Sequence, residues 1–116
     1  MGRFEALEIS LDVVRSLRQV MPAIRRRSGR LAKQVEDAAS SVALNLGEGR
    51  RRFGKDRLHL YRVAAGSADE VRSGLHVAEG WGYVSADQVA ESLDHIDHLL
   101  AILWTLTQGP ARVRAH

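Results

Sequence analysis

Apolar residues recur at spacings of three and four along most of the chain, which is the pattern of amphipathic helices. In the first helix this spacing joins Phe4, Leu7, Leu11, Val14, Leu17 and Met21. The same spacing joins Leu31, Val35, Ala38, Val42 and Leu46, then Leu58, Tyr61, Ala65, Ala68, Val71, Leu75 and Ala78, and finally Val89, Leu93, Ile96, Leu99, Leu103 and Leu106. No stretch shows the alternation of a half-buried strand. The pattern therefore predicts an all-α protein with four helices.

Prolines, glycines and a capping motif place the predicted helices at about residues 4–21, 30–47, 55–80 and 86–107. Pro22 lacks an N–H group, so we expect the first helix to end before it and residues 22–29 to form a connector. Ser85 and Gln88 have the spacing of a capping box, and Gly109-Pro110 should end the last helix. Four helices joined by short connectors predict an antiparallel, up-down-up-down four-helix bundle. We assign residues 1–109 to this single domain and residues 110–116 to a flexible basic tail.

The composition of the 116-residue chain excludes several classes of protein. It contains no cysteine, which excludes disulfide frameworks, thiolate zinc sites and thiol nucleophiles. No apolar run approaches the roughly 18 residues of a membrane span, and the N-terminus lacks the apolar core of a signal peptide. We expect a cytoplasmic protein with no membrane association.

Positive charge is concentrated in the first half of the chain. Residues 1–62 contain 14 lysines and arginines against 7 acidic residues, whereas residues 63–109 contain 1 against 7. The first basic patch, at or near the first connector, is Arg25, Arg26, Arg27 and Arg30. The second basic patch, at or near the next connector, is Arg50, Arg51, Arg52, Lys55 and Arg57. Consecutive connectors of an up-down bundle lie at opposite ends, so we expect two separate patches.

Arginine-rich patches suit phosphate groups, because the planar guanidinium donates hydrogen bonds in pairs. Cationic side chains that neutralise phosphates also release the bound counterions of a nucleic acid, which favours binding. The nine residues of the two basic patches are therefore the candidate nucleic-acid-binding residues. The alternative is that they are solvated residues at helix ends, which complement acidic surfaces of neighbouring subunits or of another protein.

Other polar clusters do not predict catalysis or a metal centre. Glu91, Asp94, His95, Asp97 and His98 share one helix, but a di-iron bundle needs a Glu-x-x-His pair on each of two helices and carboxylates from two others. The only acid–histidine pairs one helical turn apart in this cluster have i,i+4 spacing, Glu91–His95 and Asp94–His98, so we expect this cluster to face water. No Ser/His/Asp arrangement is recognisable. Gly47-Glu48-Gly49 follows a helix, not a strand, and lacks the Gly-Lys-Ser/Thr ending of a phosphate-binding loop. We predict no catalytic residues, no metal site and no cofactor.

Two further features concern packing. Apolar residues off the main stripes exceed what a small bundle needs, which favours a second buried surface formed by self-association; they include Val13, Val20, Leu60, Val77, Ile102 and Trp104. Gly66 and Gly74 interrupt the third helix at a cost of about 1 kcal/mol each, so we expect close helix contacts there.

Two motifs resemble those of a bacterial family, and the resemblance covers about residues 4–107. Ser41-Val42-x-x-Asn45-Leu46-Gly47-Glu48-Gly49 resembles one family segment, although Ala43 and Leu44 replace its usual Pro-Ser and Gly47 replaces alanine. Ala64-x-Gly66-Ser67-x-x-Glu70-x-x-x-x-Leu75-x-x-Ala78-x-x-x-Gly82-Tyr83 resembles its third helix. The family comprises the four-helix-bundle proteins encoded in 23S ribosomal RNA intervening sequences (S23-like), together with the accessory variability determinant proteins of diversity-generating retroelements.

The resemblance implies a non-enzymatic, ring- or barrel-like homopentamer that binds structured RNA or an RNA/DNA hybrid and, in the retroelement branch, a reverse transcriptase. Both the intervening-sequence and the retroelement roles stay open. Six residues match the polar and glycine positions of the family motifs, namely Asn45, Glu48, Gly49, Gly66, Ser67 and Glu70. We interpret them as structural: Asn45 and Glu48 would tie the end of the second helix to the third, and Gly66-Ser67 would permit a close crossing.

Overall fold

Four α-helices form the whole of the regular structure in the described residues. The computed structural model describes the backbone of residues 4–115 and the side chains of residues 4–108. The helices are α1 (Glu5–Arg27), α2 (Gly29–Gly49), α3 (Gly54–Gly80) and α4 (Ala86–Ala115), with no strand among these residues. The predicted all-α class is confirmed.

The helices are arranged in a four-membered ring in which α1 packs against α2 and α4, and α3 packs against the same two helices. Phe4, before α1, lies beside Arg50 at the end of α2, and Arg27, at the end of α1, lies over Tyr83 just after α3. Helices α1 and α3 therefore run in one direction and α2 in the other, while the five-residue loop 81–85 turns α4 back along α3. These contacts are those of the predicted up-down-up-down order, in a body of 47 × 26 × 24 Å.

One apolar cluster fills the space between the helices, and the predicted stripes of α2, α3 and α4 supply most of it. The stripe of α1 is rotated from its predicted position, because Ala6, Ile9, Val13, Val20 and Ile24 are buried. Val13 and Val20, predicted to belong to a second apolar surface, are thus core residues. Of that predicted surface, Val77 and Trp104 are exposed, at 46% and 58%.

The connector predicted for residues 22–29 is wrong. Helix α1 continues through Pro22 to Arg27, and α2 begins directly after Ser28. Ser28 alone makes the turn: its N–H donates to the carbonyl oxygen of Ile24 (2.7 Å), and its Oγ accepts from the N–H of Leu31 (3.1 Å). Pro22 removes only one helical hydrogen bond, on the exposed side of α1, and burial of the next turn at Ile24 outweighs that loss.

The end predicted for the fourth helix is also wrong, since α4 continues through Gly109 and Pro110 to Ala115. Its start is as predicted: the N–H of Ser85 donates to Oε1 of Gln88 (2.8 Å), and the N–H of Gln88 donates to Oγ of Ser85 (3.2 Å). Residues 1–3 of the predicted domain and His116 of the predicted tail lie outside the described residues.

Candidate nucleic-acid interface

The second basic patch is built on the short turn that joins α2 to α3. The N–H groups of Arg51 and Arg52 donate to the carbonyl oxygens of Glu48 and Gly49, so the chain leaves α2 in a tight turn. Phe53 is extended and Gly54 has a φ of +56°, which favours glycine. This turn leaves the Phe53 side chain 83% exposed between the arginines and Lys55.

Arg57 holds this turn in place. Its Nε donates to the carbonyl oxygen of Gly49 and its Nη2 to that of Arg50, both at 3.2 Å, and its guanidinium lies 5.9 Å from the centre of the Phe53 ring. These carbonyls lie at the end of α2, where the N–H donors four residues further along the helix are missing, so Arg57 acts as a C-terminal cap. The side chain predicted to bind phosphate is therefore engaged with the backbone of its own chain.

The remaining cations of the second basic patch differ in their partners. Arg52 forms an ion pair with Glu48 (2.6 Å) and lies 4.0 Å from Asp56. The Arg50 guanidinium lies 5.9 Å from the centre of the Phe4 ring. Arg51 and Lys55 are exposed, and neither has an ion pair with any described residue. The cations best placed to meet an external anion are thus Arg51 and Lys55.

The first basic patch lies at the opposite end of the bundle, on the last turn of α1 and the first turn of α2. Arg25 is ion-paired with Glu36, and the Arg27 guanidinium lies 5.2 Å from the centre of the Tyr83 ring. Arg26 and Arg30 are exposed and have no ion pair within residues 4–108. The structure thus separates the two patches, as the connector order predicts.

Three of the six motif residues connect α2 with α3. Nδ2 of Asn45 donates to the carbonyl oxygen (2.8 Å) and to Oγ (3.0 Å) of Ser41, whose Oγ lies 2.9 Å from Oγ of Ser67. A Cβ atom on Gly49 would lie 2.6 Å from the Tyr61 ring, so only glycine lets this ring pack against the end of α2. Asn45 thus reaches Ser67 of α3 through Ser41, and Gly49 makes room for a ring of α3 at the end of α2.

Glu48 and Gly66 do not make the contacts predicted for them. Glu48 is exposed and pairs with Arg52 of the turn instead of tying α2 to α3. Gly66 is exposed, and apart from its chain neighbours and the helix backbone around it, no atom of the described residues lies within 4 Å of where its Cβ would be. The close crossing of α2 and α3 is at Gly74, whose Cβ would lie 2.6 Å from Cγ2 of Val35. Glu70 is exposed, with no hydrogen bond or ion pair among the described residues.

The sequence matches the family model of the 23S rRNA-intervening sequence protein over residues 4–105. The chain belongs to this family. A crystal structure at 1.70 Å resolution of a protein with unknown function from the S23 ribosomal protein family, from Bacteroides thetaiotaomicron VPI-5482, has a similar fold. The TM-score is 0.79 at 16% sequence identity, and the match covers 89% of this chain and 98% of the other. A comparison with curated proteins finds no match.

Beneath the second basic patch of this intervening-sequence family member lies an aromatic pair that sequence reasoning missed. The rings of Phe4 and Tyr61 stack with centroids 5.7 Å apart. Burial raises the pKa of the Tyr61 phenol, and the nearby charges of Arg57 and Arg50 partly offset this. The phenol therefore stays neutral near pH 7, and the pair stabilises the end of the bundle. Both residues have helical apolar spacing, but their pairing depends on the relative positions of α1 and α3.

Four of the five residues predicted to face water on α4 are exposed, whereas His95 is half-buried and its Nε2 lies 3.6 Å from Oε2 of Glu91. Glu91, Asp94, Asp97 and His98 are exposed, and Asp97 pairs with Arg72 at 3.3 Å. Over the described residues, no three His, Asp or Glu side chains are placed to hold a metal ion together. In the same part of the chain, no helix combines the length and apolar character needed to cross a membrane.

Proposed function

We propose that this chain is a non-enzymatic nucleic-acid-binding protein that contacts structured RNA or an RNA/DNA hybrid through its basic patches. The observation that carries the proposal is the second basic patch, where Arg51 and Lys55 are exposed without an ion pair to any described residue. Membership of a family named for 23S rRNA intervening sequences supports it.

The binding mode follows from the fixed geometry of the turn. Arg57 caps α2, so Arg51 and Lys55 project from a backbone that is already ordered, and binding requires little rearrangement. Cations that neutralise phosphates release counterions, which gives an affinity with strong salt dependence and little sequence preference. No hydrogen-bonding side chain of this turn needs to read base edges for such a mode.

A charge reversal of the unpaired cations tests this proposal. Arg51→Glu combined with Lys55→Glu leaves the cap at Arg57 and the Arg52–Glu48 pair intact. Arg18→Glu with Arg62→Glu is the matched control, since both residues are exposed, lie within helices away from the turn and have no ion pair in the described part. Both double variants change the net charge equally.

Fluorescence anisotropy with a labelled RNA hairpin, and with an RNA/DNA hybrid of the same length, measures the effect over a range of salt concentrations. The patch variant should bind at least about 10-fold more weakly at low salt, and its slope of log K against log salt should be shallower by about 2. The control should keep most of the affinity. Equal binding by wild type and the patch variant would contradict the proposal.

We also propose that copies of the chain assemble, in the ring-like or pentameric form that the family resemblance implies. Leu44 is 72% exposed and Trp104 is 58% exposed. A neighbouring copy that covers these two apolar side chains would account for both. Light scattering should give a mass several times 12.8 kDa, and a mass of one chain would contradict assembly.

A second candidate function is that of an adaptor that binds another protein, such as a reverse transcriptase. An open groove of about 570 Å³ between α1 and α2 favours it, with Val14, Leu17, Met21 and Ala39 in its lining. Binding to such a partner would survive nuclease treatment, and in that case reversals in the basic patches would dissociate protein subunits without changing RNA affinity.

A further inference from the structure

The loop between α3 and α4 presents a tryptophan to solvent on a rigid backbone. The N–H of Gly82 donates to the carbonyl oxygen of Glu79, and that of Tyr83 to Ala78, both at 2.9 Å, while Gly82 has a φ of +80°. This double hydrogen bond with a left-handed glycine is a Schellman motif. The buried Val84 and the capping box at Ser85 fix the other side of the loop. Trp81, within this motif, is nevertheless 69% exposed.

Trp81 belongs to a group of planar side chains at this end of the bundle. Its ring lies nearly parallel to that of Tyr83, at 16° with centroids 6.5 Å apart. The Arg27 guanidinium lies 5.2 Å from the centre of the same Tyr83 ring. Tyr83 is partly buried against the core, so it supports Trp81 from the protein side. The group is held by packing, while much of the Trp81 surface remains open to a further planar ligand.

Around this group, positive side chains lie on the α1–α2 side and negative side chains on the α3–α4 side. The first basic patch contributes Arg26 and Arg30 on the α1–α2 side, both exposed and without an ion pair in the described part of the chain. Glu79 and Asp87 lie on the α3–α4 side of the same end. An anionic ligand would therefore place its negative groups towards α1 and α2. A planar group joined to a phosphate meets both requirements, and a nucleotide is such a ligand.

We propose that Trp81, supported by Tyr83 and Arg27, is a stacking site for an unpaired base of an RNA or DNA strand whose phosphates face Arg26 and Arg30. The inference rests on the proposed function and extends it. The second basic patch binds structured nucleic acid through charge, whereas the Trp81 site takes single-stranded nucleotides at the opposite end of the bundle. Stacking tolerates any base, because every base has an aromatic face.

Tryptophan emission tests the site directly. Trp81 and Trp104 are the two tryptophans of the chain, so Trp104→Phe leaves Trp81 as the sole reporter. The probes are oligo(U) and oligo(dT) of about ten nucleotides, a length within the range of single-strand sites, and an abasic strand with the same number of phosphates. The bases should quench Trp81 emission and the abasic strand should not. Unequal responses to oligo(U) and oligo(dT) would tell whether RNA or DNA is preferred.

Substitution measures the contribution of the ring. Trp81→Ala should weaken oligo(U) binding about 5-fold to about 100-fold, and Trp81→Phe should retain part of the affinity. Val63→Ala is the control, since Val63 is an exposed apolar residue of α3 away from this end of the bundle. Circular dichroism verifies that each variant is folded.

The remaining outcomes separate this inference from the proposed function. If oligo(U) and the abasic strand bind equally and Trp81→Ala changes nothing, while the RNA hairpin still binds, the stacking site is wrong and the proposed function stands. If no nucleic acid binds at low salt, both are wrong. If Trp81 of the free protein is already shielded from acrylamide quenching, a second copy covers the ring and the stacking site is wrong.

Discussion

Replacing Gly74 with alanine perturbs the closest contact between α2 and α3. A Cβ atom on Gly74 would lie 2.6 Å from Cγ2 of Val35 and 4.0 Å from Cδ1 of Leu31. Val35 is 1% exposed, and a β-branched side chain in a helix has one strongly preferred rotamer. The valine therefore cannot turn away, and the added methyl group must separate the two helices or force Val35 into a strained conformation.

Two opposing terms set the magnitude. Alanine is more favourable than glycine inside a helix by about 1 kcal/mol, whereas overpacking a well-packed core costs about 1–3 kcal/mol. The net effect of Gly74→Ala should be a loss of up to about 2 kcal/mol, which lowers Tm by up to about 8 °C in a domain of this size. Gly66 lies in the same helix with open space around its Cβ position. Gly66→Ala should therefore gain stability, by up to about 1 kcal/mol.

Urea unfolding followed by circular dichroism measures both substitutions, with Gly66→Ala as the internal control for helix propensity. The double variant Val35→Ala/Gly74→Ala completes a mutant cycle. Removing Cγ2 of Val35 clears the space for the new methyl group, so Gly74→Ala should be harmless or stabilising in that background. If Gly74→Ala stabilises the wild-type background as much as Gly66→Ala does, the inferred contact between α2 and α3 is wrong.

Two further substitutions test other local features. Ser85→Ala removes the capping hydroxyl of α4 and should lower the free energy of unfolding by about 1 kcal/mol. Ser73→Ala is the control, because Ser73 is exposed within α3. An equal effect of the two substitutions would contradict a capping role for Ser85. Burial raises the pKa of the Tyr61 phenol, so above the ordinary pKa of about 10 the unfolded chain loses this proton first and stability falls with rising pH. Tyr61→Phe should remove that part of the decline in urea unfolding between about pH 9 and about pH 11, and an unchanged decline would show that the phenol does not contribute.

Helical periodicity predicted the fold class and the core faces of α3 and α4, because each of these helices has one continuous apolar stripe that includes Leu75 or Ile96. It misplaced the core face of α1. That helix carries two overlapping stripes, which share Leu17 and Met21, and either one makes an amphipathic helix. Only the packing against α2 and α4 selects the stripe that contains Val13 and Val20.

The helix boundaries show where local rules fail. Pro22 was predicted to end α1 because it lacks an N–H group, but the rule does not include the burial of Ile24 one half-turn later. Close contacts were predicted at both Gly66 and Gly74, yet among the described residues the contact occurs only at Gly74. Both glycines fit the helical pattern equally well, and the angular position of α2 around α3 decides between them.

For the candidate interface, the sequence predicted the separation of the two basic patches, because helix order alone determines which connectors share an end. The sequence did not predict which of these cationic side chains would be engaged by groups of their own chain. Arg25 and Arg52 are ion-paired and Arg57 caps α2, and these roles depend on side-chain geometry. The exposed rings of Phe53 and Trp81 were also not singled out from the sequence. The signal that could have identified them is that both aromatic residues lie in turns and not on the apolar stripe of a helix.

The separation of the two ends also shapes how the protein can bind nucleic acid. The two basic patches lie at opposite ends of α2, whose 21 residues span about 32 Å, whereas electrostatic interactions are screened over roughly 8–10 Å at physiological salt. In the proposed function, the first and second basic patches would therefore attract phosphates independently, and the effects of charge reversals in the two patches on the binding free energy should add. A polyanion long enough to contact both ends would bind with greater avidity, because the second contact forms at a high effective concentration. We therefore expect the largest gain in affinity over a short duplex for an RNA that contains both a duplex, which would contact one end of the bundle, and an unpaired strand, which would contact the other.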